Sequence, residues 1–309
     1  MTDTDTDTDT DTDTDTDTDT RTDPRTHPDP DAEKSADTDI VYAYAVLRRT
    51  PEAARAVADL RGVAGEPIHL LDFADGTSDS TDDGTPVLAA AVGPVPAADF
   101  DEAPLKTNLE DLSWLEATAR AHHAVVAPLT GRGIAVLPLR LVTVYRDEDR
   151  VRQALDARRD DFLPLLDRVT GHVELGVKIY AAPDNAPPEQ EAAQGKRLGA
   201  GRAYLAGRRR HKRTAEDAWQ AATQAAAHIS ETAGALAVDR VVHRPQSGDL
   251  AGPAPGPNVS NDAYLVPEDH VDDFRTRVLA AAEEFPGAHV DVTGPWAPYS
   301  FALPSEPVA

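Results

Sequence analysis

Thirty basic against 54 acidic side chains leave this 309-residue chain at a formal −24, which argues against nucleic acid or an anionic membrane as its main partner. Cysteine is absent, which removes disulfides, thiolate catalysis and Cys-ligated zinc or iron–sulfur sites. No apolar run reaches the ~18–20 residues of a membrane span and the N-terminus carries no signal-peptide core, so a soluble cytoplasmic protein is expected.

Residues 1–39 hold 15 acidic and 3 basic side chains and begin with a strict Thr-Asp alternation. A carboxylate at every second position would line one face of a strand with like charge and leave nothing apolar to bury, so the sequence predicts a disordered acidic tail. A chain starting near Asp39 is expected to melt at the same temperature as the full one; a drop of many degrees would show that the tail packs.

From Ile40 the pattern changes to a βαββαβ order over residues 40–146. "DIVYAYAVL" reads as a strand, with Tyr42, Tyr44 and Val46 on one face and Val41, Ala43, Ala45 and Leu47 on the other. Thr50 and Pro51 are a helix N-cap and first-turn pair, and Gly62 is a stop signal. "PIHLLDF" and "PVLAAAVG" are short strands joined by an acidic loop. Leu112, Leu115, Ala119, His122 and Val126 then mark one face of a helix. "GIAVLPLRLVTVY" predicts one long strand, which Pro138 places at an edge or a bulge.

Residues 147–171 form a helical connector: Asp147, Glu148 and Asp149 favour a helix start through the dipole, and Pro164 is expected to break or kink it. Residues 172–309 repeat the first order. "HVELGVKIYA" alternates cleanly, a long helix covers about 189–231, "GALAVDRVVHR" and "NDAYLVP" are strands, and a helix carrying Val271, Phe274, Val278 and Phe285 ends at Pro286. "AHVDVTG" is the last strand and runs into "PWAPYSFALP". The fold class is therefore α+β, two tandem ferredoxin-like (βαββαβ) domains joined by a helical segment.

No nucleophile is assembled with a base. His122 falls on an apolar helix stripe and reads as a packed histidine rather than a metal ligand. The H-x-E of His172 and Glu174 lacks the cysteine half of a zinc deaminase motif. Neither Gly131-x-Gly133 nor Gly199-x-Gly201 makes a dinucleotide fingerprint. The basic stretch 196–213, which includes Arg208, Arg209 and Arg210, contains no acidic residue and is either a solvated helix face or a dock for an acidic partner. Aromatics are only 5% of the chain, so the clusters Tyr42/Tyr44 and Trp296/Tyr299/Phe301 stand out. A first strand apolar on both faces predicts that the open face of its sheet is covered. A partner or inter-domain packing would satisfy that equally.

These stretches resemble the gas vesicle protein F/L family. "YAYAVL", "LEDLSWLEATARAHHAVVAPL", "VLPLRLVTVY", "HVELGVKIYA", "NDAYLV" and "GPWAPYSF" occur in the family's order from about Ile40 to Phe301. His123 stands where an acidic residue is expected, Leu141 where an aromatic is expected, and Ala297 where proline is usual. The resemblance implies an accessory protein of gas vesicle assembly, not an enzyme, with no cofactor or metal. It would bind the hydrophobic shell protein and other accessory proteins, limit shell-protein aggregation during nucleation, and remain as a minor vesicle component. The partner-binding candidates are Tyr42, Tyr44, Trp296, Tyr299, Phe301, Arg208, Arg209 and Arg210. The rival class is a small-molecule enzyme or ligand sensor, since tandem ferredoxin-like domains host those too.

Overall fold

The computed structural model describes residues 40–73, 88–182, 200–246 and 255–302. Residues 1–39, for which the sequence predicts disorder, lie outside the described residues. The first half runs β1 (Ile40–Arg48), α1 (Pro51–Ala58), β2 (His69–Asp72), β3 (Leu88–Val95), α2 (Ala97–Phe100), α3 (Glu102–Asn108), α4 (Leu112–Thr130), β4 (Val136–Pro138) and β5 (Val144–Tyr145). Thr50 caps α1 as expected, its hydroxyl accepting from Ala53 N at 3.0 Å with Pro51 in the first turn. Asp111 does the same for α4, taking Ser113 N at 2.8 Å and Trp114 N at 3.3 Å.

The strands form an antiparallel sheet in the order β2-β3-β1-β4, with β5 also pairing β1. This is the order a split βαβ unit imposes, because β3 returns between the two strands that α1 connects. The long strand predicted over 133–145 is instead two short pieces. β4 lies against Ala45, Val46 and Leu47, and β5 against Val41 and Tyr42. Between them Val142 takes φ 62°, a left-handed conformation that β-branched residues rarely adopt. Its N–H leaves the ladder to donate to Tyr42 Oη at 2.8 Å.

β1 itself corrects the predicted alternation. Its register against β3 slips between Ala43 and Ala45, so Tyr44 is an extra residue at a β-bulge. Beyond the bulge the faces exchange. Ala45 and Leu47 share the side of Tyr42 and Tyr44, while Val46 joins Ala43 on the other. The bulge brings Tyr44 Oη over the turn after α1, where it accepts from Val63 N at 2.9 Å. A Cβ at Gly62 would collide with that hydroxyl, so glycine is required there by close approach.

The connector is α5 (Glu148–Asp156) and α6 (Arg159–Val169), with Asp147 capping α5 through Arg150 N at 2.7 Å. The break falls at Arg158, whose φ −119°, ψ 15° is not helical, and not at Pro164, which sits inside α6. A proline forfeits one backbone bond, and burial of Phe162, Leu166 and Val169 on the same helix outweighs that loss.

The second half runs β6 (His172–Ala181), α7 (Ala200–Gly234), β7 (Asp239–His243), β8 (Asn258–Pro267), a 3-10 turn at Glu268–His270, α8 (Val271–Ala282), β9 (Ala288–Trp296) and a 3-10 turn at Tyr299–Phe301. α8 stops at Ala282, short of the predicted Phe285. The sheet order is β7-β8-β6-β9, antiparallel, which repeats the first half's permutation.

One apolar cluster fills the space between the first sheet and α1 and α4, and another lies between the second sheet and α7 and α8. A third covers the remaining face of the first sheet. There Ala43, Val46 and Leu137 meet Val151, Phe162 and Leu166 of the connector. Ala263, Leu265 and Phe301 of the second half join the same cluster. The face predicted to be covered is covered from within the chain, and Thr38–Ala309 is one compact unit.

Candidate functional site

Tyr42 and Tyr44 are fully buried between β1 and α4, their rings stacked at 4.5 Å with Phe100 edge-on to Tyr42 at 5.9 Å. Tyr42 Oη accepts from Val142 N and lies 3.0 Å from His122 Nδ1. The proton of this bond sits on the hydroxyl or on Nδ1 according to the His122 tautomer, and Nε2 is buried without a hydrogen-bond partner. Burial, with His123 beside it adding to the effect, lowers the His122 pKa to about 4. Burial pushes the Tyr44 hydroxyl up to about 12 and that of Tyr42 higher still. His122 is thus the packed histidine the sequence predicts. Tyr42 and Tyr44, by contrast, present no surface to a partner: the bulge and α4 place both inside the core.

The C-terminal aromatics divide. Phe301 is also buried, packed in the cluster that joins the two halves, and is therefore a core residue rather than a docking one. Trp296 and Tyr299 remain 42% and 36% exposed. Trp296 stands edge-on to His123 at 5.3 Å, and Tyr299 lies 6.2 Å from His122 and 6.5 Å from His123.

Glu174 fixes this segment. Its buried carboxylate accepts from Ser300 N at 2.7 Å and Ser300 Oγ at 2.8 Å, and His243 Nε2 lies 2.9 Å from the same hydroxyl. Burial raises the Glu174 pKa, and the two bonds from Ser300 pull it back in part. Because the hydroxyl proton points at Glu174, His243 can only donate to Ser300. The trio is a latch and lacks the serine-to-histidine proton path of a nucleophile. Sequence reading assigned Glu174 to the polar register of β6 and gave no role to Ser300, His243 or Arg140. The one available signal was a carboxylate near the start of a strand whose apolar positions alternate.

Two clefts flank His123. The larger, about 620 Å³, is lined by Ala119, His122, Leu139, Arg140, Leu141 and Val241 together with Tyr299 and Ser300. The other, about 440 Å³, lies between Ala127, Gly131, Val173, Glu268, Asp272 and Trp296. His123, Leu141 and Ala297, the three positions at which the chain departs from the pattern it resembles, all line these clefts. Arg208 is exposed on α7, away from the latch in sequence, and the side chains of Arg209 and Arg210 lie outside the described residues. Among the described residues no group of histidines and carboxylates could hold a metal ion, and no helix is long and apolar enough to cross a membrane.

Comparison with known proteins gives consistent matches. The family model "Gas vesicle synthesis protein GvpL/GvpF" matches residues 40–303. Gas vesicle protein L of Streptomyces sp. (strain CB03234) is 43% identical over 266 residues, covering 84% of this chain and 92% of the relative. Gas vesicle protein F of the same strain is 29% identical over 204 residues, covering 62% and 80%. The crystal structure of GvpF from Anabaena sp. PCC7120 superposes with a TM-score of 0.56 at 16% identity, over 87% of this chain and 98% of that one. GvpF from Microcystis aeruginosa gives 0.52 at 20% identity, over 85% and 99%.

Proposed function

The chain belongs to the GvpL/GvpF family of gas vesicle synthesis proteins, and we propose that within that role it binds the hydrophobic shell protein through Trp296 and Tyr299. Binding limits aggregation of the shell protein during nucleation, and the accessory protein stays with the vesicle as a minor component in the cytoplasm. The observation that carries this reading is the pair of half-exposed aromatic rings against His123, between two clefts, held in place by the Glu174–Ser300 latch. Large aromatic side chains at the centre of an interface dominate its energetics, and a soluble acidic protein is a suitable cover for an apolar subunit before assembly. Arg208, Arg209 and Arg210 supply a secondary electrostatic contact.

Trp296→Ala is expected to weaken shell-protein binding roughly tenfold or more, the loss typical of a true anchor, with an unchanged melting curve. Charge reversal at Arg208, Arg209 and Arg210 should weaken binding mainly at low salt, because exposed charges are screened beyond about 8–10 Å at physiological ionic strength. A folded protein that shows no association with the shell protein at any salt concentration, and whose deletion leaves vesicle formation unchanged, would end the reading.

A further inference from the structure

Ala119, His123 and Ala127 recur every fourth residue along α4, Gly131 follows at the same spacing as its C-cap, and all four line the clefts. His123 lines both clefts, so they adjoin along a single helix face and are taken together as one groove. Twelve residues at 1.5 Å rise make that floor about 18 Å long, a little over three helical turns. Three of the four floor residues are alanine or glycine, which lets a second backbone approach α4 closely. Leu139, Leu141, Val241 and Tyr299 wall one end, and Pro295, Trp296, Val173 and Val271 wall the other.

The two ends differ in charge. Arg140 lines the Ala119 end, while Glu268 and Asp272 line the Gly131 end. Glu174 is engaged by Ser300, and none of Arg140, Glu268 and Asp272 holds an ion pair among the described residues. The groove thus mixes apolar walls with His122, His123, Thr130 and Ser300, and is cationic at one end and anionic at the other.

We propose that this groove seats one amphipathic helix of the partner polypeptide. Its apolar face lies over His123, with an acidic side chain at Arg140 and a basic one at Glu268 and Asp272. The proposal rests on the shell-protein reading above and adds the chemistry of the segment that the partner offers. Opposite charges at the two ends fix the direction of the bound helix and disfavour a segment charged the other way.

Binding is measured on the full-length protein with two probes. One is purified gas vesicle shell protein. The other is a synthetic fifteen-residue helix with a leucine stripe, glutamate at one end and lysine at the other. Ala127→Trp fills the floor, Arg140→Glu reverses an exposed charge, and Arg55→Glu on α1 is a control outside the groove. Both groove variants should lose roughly tenfold in affinity, as expected for blocking an interface centre or reversing a paired charge, while Arg55→Glu binds as wild type. Melting curves exclude unfolding, and the exposed Arg140 gives a readout even if Ala127→Trp fails to fold.

If the shell protein binds wild type and both groove variants equally, the groove is overturned and the proposed function stands. If only the synthetic helix binds, in a groove-dependent way, the groove stands and the shell-protein reading falls. Binding of neither probe overturns both. A dimer of the free protein that Arg140→Glu abolishes would assign the groove to a second copy of this chain and overturn the proposal.

Discussion

Tyr44→Ala should cost about 3–5 kcal/mol of folding stability, the range for truncating a large buried aromatic. The ring has no exposed surface, stacks on Tyr42, and sends its hydroxyl to Val63 N at the turn guarded by Gly62. Removing it leaves a cavity beside Ile68 and an unpaired backbone N–H, with little to fill the gap because the bulged β1 is pinned by both β3 and the Leu139 N–H. Urea unfolding of Tyr44→Ala and Trp296→Ala side by side tests this, since exposed Trp296 should cost far less. The milder Tyr42→Phe should lose about 1–3 kcal/mol, because Val142 N and His122 Nδ1 each lose a partner while the ring stays. Near-equal midpoints for Tyr44→Ala and wild type would show that the first strand is not the centre of this core.

The architecture was legible because most elements carry their own local signals. Thr50–Pro51 starts the helix it was read to cap, Asp147 begins the helix its charge was read to favour, and the period-2 pattern of 172–181 is the central strand β6. What failed depended on contacts distant in sequence. The faces of β1 could not be assigned because the bulge at Tyr44 is set by pairing with β3, some 45 residues on. The split between β4 and β5 is set by the Tyr42 hydroxyl capturing Val142 N across 100 positions. Counting aromatics found five candidates without separating those that fill the core from those that border the groove, since burial of Tyr42, Tyr44 and Phe301 comes from packing between elements. The groove was invisible for a related reason. Its floor is a spacing of small residues along α4 that becomes a site only when 295–300 lies beside it.

Acid should destabilise the wild-type protein more steeply than a His122→Gln variant. In the folded chain His122 protonates only at about pH 4, whereas the unfolded chain takes up that proton near its ordinary pKa of about 6.5. Between those values the unfolded state binds more protons than the folded one, so stability rises with pH across the window and is lost as pH falls from about 6.5 to 4. A shift of that size amounts to about 3 kcal/mol at 1.36 kcal/mol per pKa unit. Glu174 works in the other direction. Its folded pKa is raised by burial, so its contribution is fully present below the unfolded pKa and is lost as pH rises through the folded one. The two groups partly cancel in wild type, and only the difference between wild type and variant isolates His122. Glutamine keeps an acceptor for the Tyr42 hydroxyl and cannot titrate, so the variant retains the Glu174 effect and the carboxylate pairs elsewhere. Unfolding free energies measured from pH 7.5 to 4 should therefore diverge by about 3 kcal/mol below pH 6.5 and run parallel above it. Curves parallel over the whole range would mean that His122 is not held neutral behind Tyr42 and Tyr299.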